Sequence, residues 1–194
     1  TEDKTVFQSV TLKNYRTHVD STIQLGKVTL LLGNNNSGKT NLLSGIRHFS
    51  QLIGRANPDK DQPRQLVEWR DFSQHRHRLS DRDVPIVFSC VWRKPDGHVE
   101  YSMELSENRN LPAQVAVKES IHIALATDPS HKAGLATGGD GKLDKIILRQ
   151  EILKDIKPFT DKHREIAKQF FRDLAQAFAY HFQPSYLKGL VPVQ

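Results

Sequence analysis

The stretch Gly33-Asn34-Asn35-Asn36-Ser37-Gly38-Lys39-Thr40 constrains this chain more than any other. It fits G-x-x-x-x-G-K-[ST]. In that pattern glycines let the backbone wrap tightly, so that successive N–H groups face phosphate oxygens. The lysine reaches the outer phosphates, and the hydroxyl after it ligates Mg²⁺. A helix beginning there aims the positive end of its dipole at the same anion. The flanks predict the rest of the unit. Val28-Thr29-Leu30-Leu31-Leu32 is an apolar run of the kind that forms a strand buried on both faces. Leu42, Leu43, Ile46, Phe49 and Ile53 then recur at helical spacing. The expectation is strand, glycine loop, helix.

Bulk properties set the frame. With 194 residues, 37% of them hydrophobic, the chain can bury a core as one domain with a smaller lobe. A single cysteine, Cys90, excludes an internal disulfide framework and suits a reducing compartment. It sits in an apolar run and reads as a core residue. No apolar stretch reaches membrane-spanning length, so the expectation is a cytoplasmic protein with no membrane partner. The net charge of +6 exceeds what a nucleotide pocket uses and is compatible with nucleic acid as a partner.

In chain order, 6–12 and 21–25 read as strands ahead of the loop. Residues 54–64 read as solvated surface, followed by a helical turn at 66–72. The basic tract Gln74-His75-Arg76-His77-Arg78 reads as a solvated loop, the alternative being contact with a phosphate backbone. The ranges 84–92, 98–105 and 114–127 predict an antiparallel meander, with a turn at Pro95-Asp96-Gly97. Residues 134–141 read as loop, and 142–148 as a segment pairing back. A helix over 150–157 stops at Pro158. A long helix follows, capped by Thr160, with Ile166, Phe170, Leu174 and Phe178 as its stripe and Ala167, Phe171 and Phe182 widening it. A final strand lies at 186–191.

The segments Val10 to His18 and Ile23 to Gly33, followed by the loop and its helix, resemble the start of the SMC/RecF/OLD class of ABC-type ATPases. The features that carry this are the Asn14-Tyr15-Arg16-Thr17-His18 turn and Asn35 within the loop. The resemblance covers the first quarter of the chain, and RecF-like ATPases of bacterial defence systems and OLD-family nucleases are equally near types. It implies an α/β fold: a P-loop NTPase of ABC-ATPase type, here its N-terminal lobe with an antiparallel β-subdomain. The lobe would divide into 1–55 (strands, loop and helix), 56–149 (loop and β-subdomain) and 150–194 (helices and last strand).

The resemblance further implies ATP and Mg²⁺ as cofactors. Gly33, Asn34, Asn35, Asn36, Ser37, Gly38, Lys39, Thr40 and Asn41 would hold the phosphates, with Thr40 on the metal. Arg16, joined by His18, would reach towards the nucleotide. Gln74 or Gln194 would be the glutamine that senses metal and γ-phosphate. The implied partners are a second copy across sandwiched nucleotide, DNA, and a nuclease or other effector, in defence against phage or in DNA repair.

Two motifs of that class do not occur: an apolar strand ending in Asp-Glu and a Leu-Ser-x-Gly-Gln signature. Asp128 ends an apolar run, but Pro129 follows it, and the pair reads as a hairpin turn. The expectation is therefore a piece of a longer ATPase that supplies no catalytic residue of its own. Two other functions fit parts of the pattern. A small P-loop kinase would use Arg76, Arg78 and Arg82 as a lid and Asp71 or Asp83 as base. A non-enzymatic nucleic-acid-binding module would carry a degenerate nucleotide site.

Overall fold

Six strands pair into one antiparallel sheet in the order β2-β1-β3-β4-β5-β6: β1 (Phe7–Tyr15), β2 (His18–Gln24), β3 (Ile86–Lys94), β4 (Gly97–Glu107), β5 (Val115–Leu125) and β6 (Asp128–Thr137). Among the described residues three helices accompany it: α1 (Lys39–Arg55), α2 (Leu148–Leu153) and α3 (Asp161–Ala175). This is a computed structural model, and it describes residues 6–55, 74–81, 83–107, 115–138, 148–154 and 156–177.

The sheet follows from strict alternation. Ile86, Phe88, Cys90 and Trp92 on β3, and Val99, Tyr101, Met103 and Leu105 on β4, are all buried. Their neighbours along each strand are partly open, as a sheet with one wet face requires. Burial pushes the Cys90 thiol pKa up, consistent with a core residue. Helices α1 and α3 cover the inner face. Phe49 of α1 stacks on Phe88 and Tyr101, with ring centroids 5.2 and 5.9 Å away. Each such buried aromatic contributes about 1.5–3 kcal/mol. Gly45 seats α1 closely: a Cβ there would lie 2.6 Å from Leu12 Cδ1 and 3.1 Å from Tyr15 Cε1.

Helix α3 begins where the sequence predicts. The Thr160 N–H and hydroxyl both donate to His163 Nδ1, at 3.2 and 2.8 Å, which leaves the ring proton on Nε2. Burial first, then the nearby His131, lowers the His163 pKa from its ordinary 6.5. The unfolded chain therefore takes up this proton more readily than the folded one. The stability His163 contributes is complete above pH ~6.5 and is lost as pH falls through the lowered folded value. Thermal melts from pH 8 to 5 should show the wild type losing more stability on acidification than His163→Gln.

Several expectations need correction. Val28–Leu32 forms no strand, and Val28, Leu30 and Leu32 are 89%, 76% and 82% exposed. Burial on both faces needs strands alongside and layers above and below. Here the chain leaves the sheet after the Leu25 N–H bonds Gln8 O, and a Gly26–Thr29 contact turns it outward. Only Leu31 of the run packs against the core. On α1, Leu43 is exposed, while Leu52 joins Leu42, Phe49 and Ile53 in the buried stripe. Gly134 lies inside β6 rather than in a loop, and α2 spans Leu148–Leu153, starting and ending earlier than the sequence suggests. The β5–β6 hairpin turns tightly at 126–127, and Asp128 and Pro129 open β6 just past it rather than forming the turn. The calls at 56–73, 142–147, Phe178, Phe182, 186–191 and Gln194 lie outside the described residues.

Candidate nucleotide-binding site

The loop at 33–38 sits against the turn between β1 and β2, and that turn is shaped by its own residues. Asn14 and Arg16 have φ of 54° and 49°, in the left-handed region that Asn tolerates best. Asn14 is buried, and its amide donates to Val84 O at 2.7 Å, tying the turn to the entry of β3. What the turn then presents is Arg16, Thr17 and His18.

His18 Nδ1 lies 2.8 Å from Ser21 Oγ and Nε2 3.1 Å from Gly38 O. A proton on Nε2 lets the ring donate to that carbonyl while accepting from the serine. Asn41 Nδ2 donates to Thr17 Oγ1 at 3.0 Å. Arg16 NH1 donates to Asn41 Oδ1 at 3.4 Å and to Ser44 Oγ at 3.2 Å on α1. The turn thus holds both the glycine loop and the first turns of the helix behind it.

Gly38 has φ +88°, and a Cβ there would lie 3.0 Å from Thr17 Oγ1 and 3.2 Å from the His18 ring. Only glycine suits that conformation and that gap. Asn36 adopts φ 72° at the loop tip. Lys39 opens α1 and turns its ammonium back over the loop, donating to Gly33 O at 2.6 Å, Asn34 O at 2.7 Å and Ser37 Oγ at 3.0 Å. A cation held at the mouth of a glycine turn, on the positive end of a helix of 17 residues, is an arrangement that accepts polyphosphate.

Placement of the sequence candidates is as follows. Residues 33–41 form one continuous loop and helix start, and Arg16 and His18 adjoin it. Thr40 is in the first turn of α1 and open to solvent. Gln74 is exposed and borders a cleft with Arg16 and Asn41. Gln194, Asp71 and Arg82 lie outside the described residues. The basic tract is not simply solvated: His75, Arg76 and His77 are half-buried, and Tyr15 forms an antiparallel bridge with Arg76. The sequence reading missed His75, whose Nδ1 lies 3.3 Å from Arg16 Nε, and gave Thr17 no separate role. No local signal could pair residues 59 positions apart. Among the described residues, no group of His, Cys, Asp and Glu could hold a metal ion by itself. None of their helices is long and apolar enough to cross a membrane.

Loop, lysine and helix have the layout of a phosphate-binding loop. The family model described as AAA ATPase domain matches residues 7–185, and the chain belongs to that family. It is accordingly a nucleotide-binding ATPase domain. No curated protein matches it.

Proposed function

We propose that this AAA ATPase domain binds Mg-ATP in the loop 33–41, as the N-terminal lobe of a RecF/OLD-like head. In this reading two copies close around the nucleotide, and the assembly acts on DNA in phage defence or repair. The supporting observation is the Lys39 ammonium, gathered by three oxygens of its own loop and aimed where a β/γ-phosphate would replace them. The cofactor also fits the donor set. The main-chain amides of 33–40 and Lys39 would hold the phosphates, and the Thr40 hydroxyl would hold Mg²⁺. Bound Mg-ATP would supply the phosphoryl group, with the metal neutralising its charge.

This chain's own residues bind and orient. His18 fixes the Gly38 carbonyl, Asn41 ties the helix to the turn, and Arg16 stands one side chain away. The exposed apolar run Val28–Leu32 fits an element that a further layer covers. No Asp-Glu strand is available to position water, so these residues alone should turn over ATP negligibly. Thr40→Ala should weaken ATP binding in the presence of Mg²⁺ by about tenfold while leaving binding in EDTA nearly unchanged. Titration calorimetry in both buffers checks this. Equal loss in the two would remove Thr40 from the metal.

A further inference from the structure

Beside the loop, on the far side of Arg16 and Asn41, lies a cleft of about 870 Å³. That is within the size range of small-ligand sites. Its walls are Arg16, Asn41, His75, Arg76, His77 and Arg78, with Thr17, Gln74 and Leu79 completing them. Among the described residues, no Asp or Glu lines it. Apart from Asn41, no residue of the loop 33–41 contributes.

Backbone bonds fix this cationic wall. The Arg16 N–H donates to His75 O at 2.7 Å, and the His77 N–H donates to Asn14 O at 3.0 Å. The antiparallel bridge between Tyr15 and Arg76 lies between them. The half-buried tract is thereby stitched to the same turn that braces the glycine loop. Arg76 NH1 is buried without a hydrogen-bond partner among the described residues. Leaving a charged donor so placed costs free energy.

We propose that this cleft is a second phosphate site, distinct from the loop, and that it seats the phosphodiester backbone of a nucleic-acid strand. The choice of a strand as occupant rests on the reading that the assembly works on DNA; the cleft's taste for phosphate does not. Three arginines face the strand. Arg16 belongs to both sites, because its guanidinium also bonds Asn41 and Ser44 of α1. Strand binding therefore holds Arg16 on the cleft side and touches the helix that opens with Lys39. Recognition is of the backbone rather than of bases, since the described part of the wall offers chiefly cations and amides.

The test uses the whole chain and a fluorescein-labelled single-stranded oligonucleotide of about a dozen nucleotides, read by anisotropy. Three phosphate contacts predict that affinity falls about 20-fold between ~50 and ~200 mM salt. Arg76→Ala with Arg78→Ala should weaken binding about tenfold or more at low salt and flatten the salt response to about threefold. Arg78→Ala alone changes an exposed side chain, so folding is safe, and it should remove about a third of the salt slope. ATP affinity should be unmoved in both variants, whereas Lys39→Ala should lose ATP and keep the strand. The strand-binding results stand even if the ATP reading fails, because the two ligands are measured separately. Unchanged affinity and slope in Arg78→Ala and in the double variant would overturn the site. Inorganic tripolyphosphate bound by Lys39→Ala and lost on removing Arg76 and Arg78, with no oligonucleotide bound, would overturn the strand as occupant.

Discussion

Lys39→Ala should abolish measurable ATP binding, a loss of about 100-fold or more. The ammonium makes three contacts to the loop's own oxygens, at 2.6 to 3.0 Å. With nucleotide bound, each can be exchanged for a charged phosphate oxygen at little reorganisation cost. Charge-assisted bonds of this kind are worth about 1.5–3 kcal/mol apiece, so two of them account for that factor. The variant should fold normally, because the lysine touches the loop and no buried group. Calorimetry with Mg-ATP beside a thermal melt separates the two effects. Unchanged affinity in a folded variant would mean that the phosphates bind elsewhere.

The second large effect is on stability. Glu119 is 1% exposed, on β5. Its Oε1 accepts the Tyr101 hydroxyl at 2.6 Å and its Oε2 accepts the Leu148 N–H at 3.1 Å, pinning the start of α2 to the sheet. Burial, reinforced by this carboxylate, holds the Tyr101 pKa well above its ordinary value, so the phenol stays a donor. Tyr101 also touches Phe49, Phe170 and Phe171, joining both large helices to the same residue. Glu119→Ala strands a hydroxyl and an amide in the core and opens a cavity. We expect a loss of about 4 kcal/mol, or a fall in Tm of about 10 °C for a chain of this size. Tyr101→Phe, which keeps the ring, should cost about half as much. Denaturant melts of the two variants and their double mutant test the pairing. Additive losses would show that the contact carries no energy of its own.

How far the sequence reached depended on how local the cause was. The β3–β4 hairpin was legible because alternation and Pro95-Asp96-Gly97 act within a few residues. The same holds for the start of α3, where Thr160 and Asp161 sit next to the helix they begin. The tight turn at 33–38 and the helix start at Lys39 were legible because the residues that shape them are consecutive. The placement of Val28–Leu32 was not. Hydropathy says that a run prefers burial, but not whether a covering layer exists, and here nothing among the described residues covers it. Leu43 failed for a related reason: spacing gives a broad stripe, and which edge of it meets the sheet depends on the tilt that Gly45 permits. The Arg16–His75 pairing, and with it the cationic cleft, needed the topology that lays the tract across the β1–β2 turn.

A crystal of this chain grown with a non-hydrolysable ATP analogue and Mg²⁺ tests the central claim most directly. The account predicts triphosphate density wrapped by the amides of 33–40, with Lys39 turned from its loop carbonyls to the β/γ-phosphates and Thr40 on the metal. Nucleotide seated anywhere else, with Lys39 still bound to Gly33 and Asn34, would contradict it.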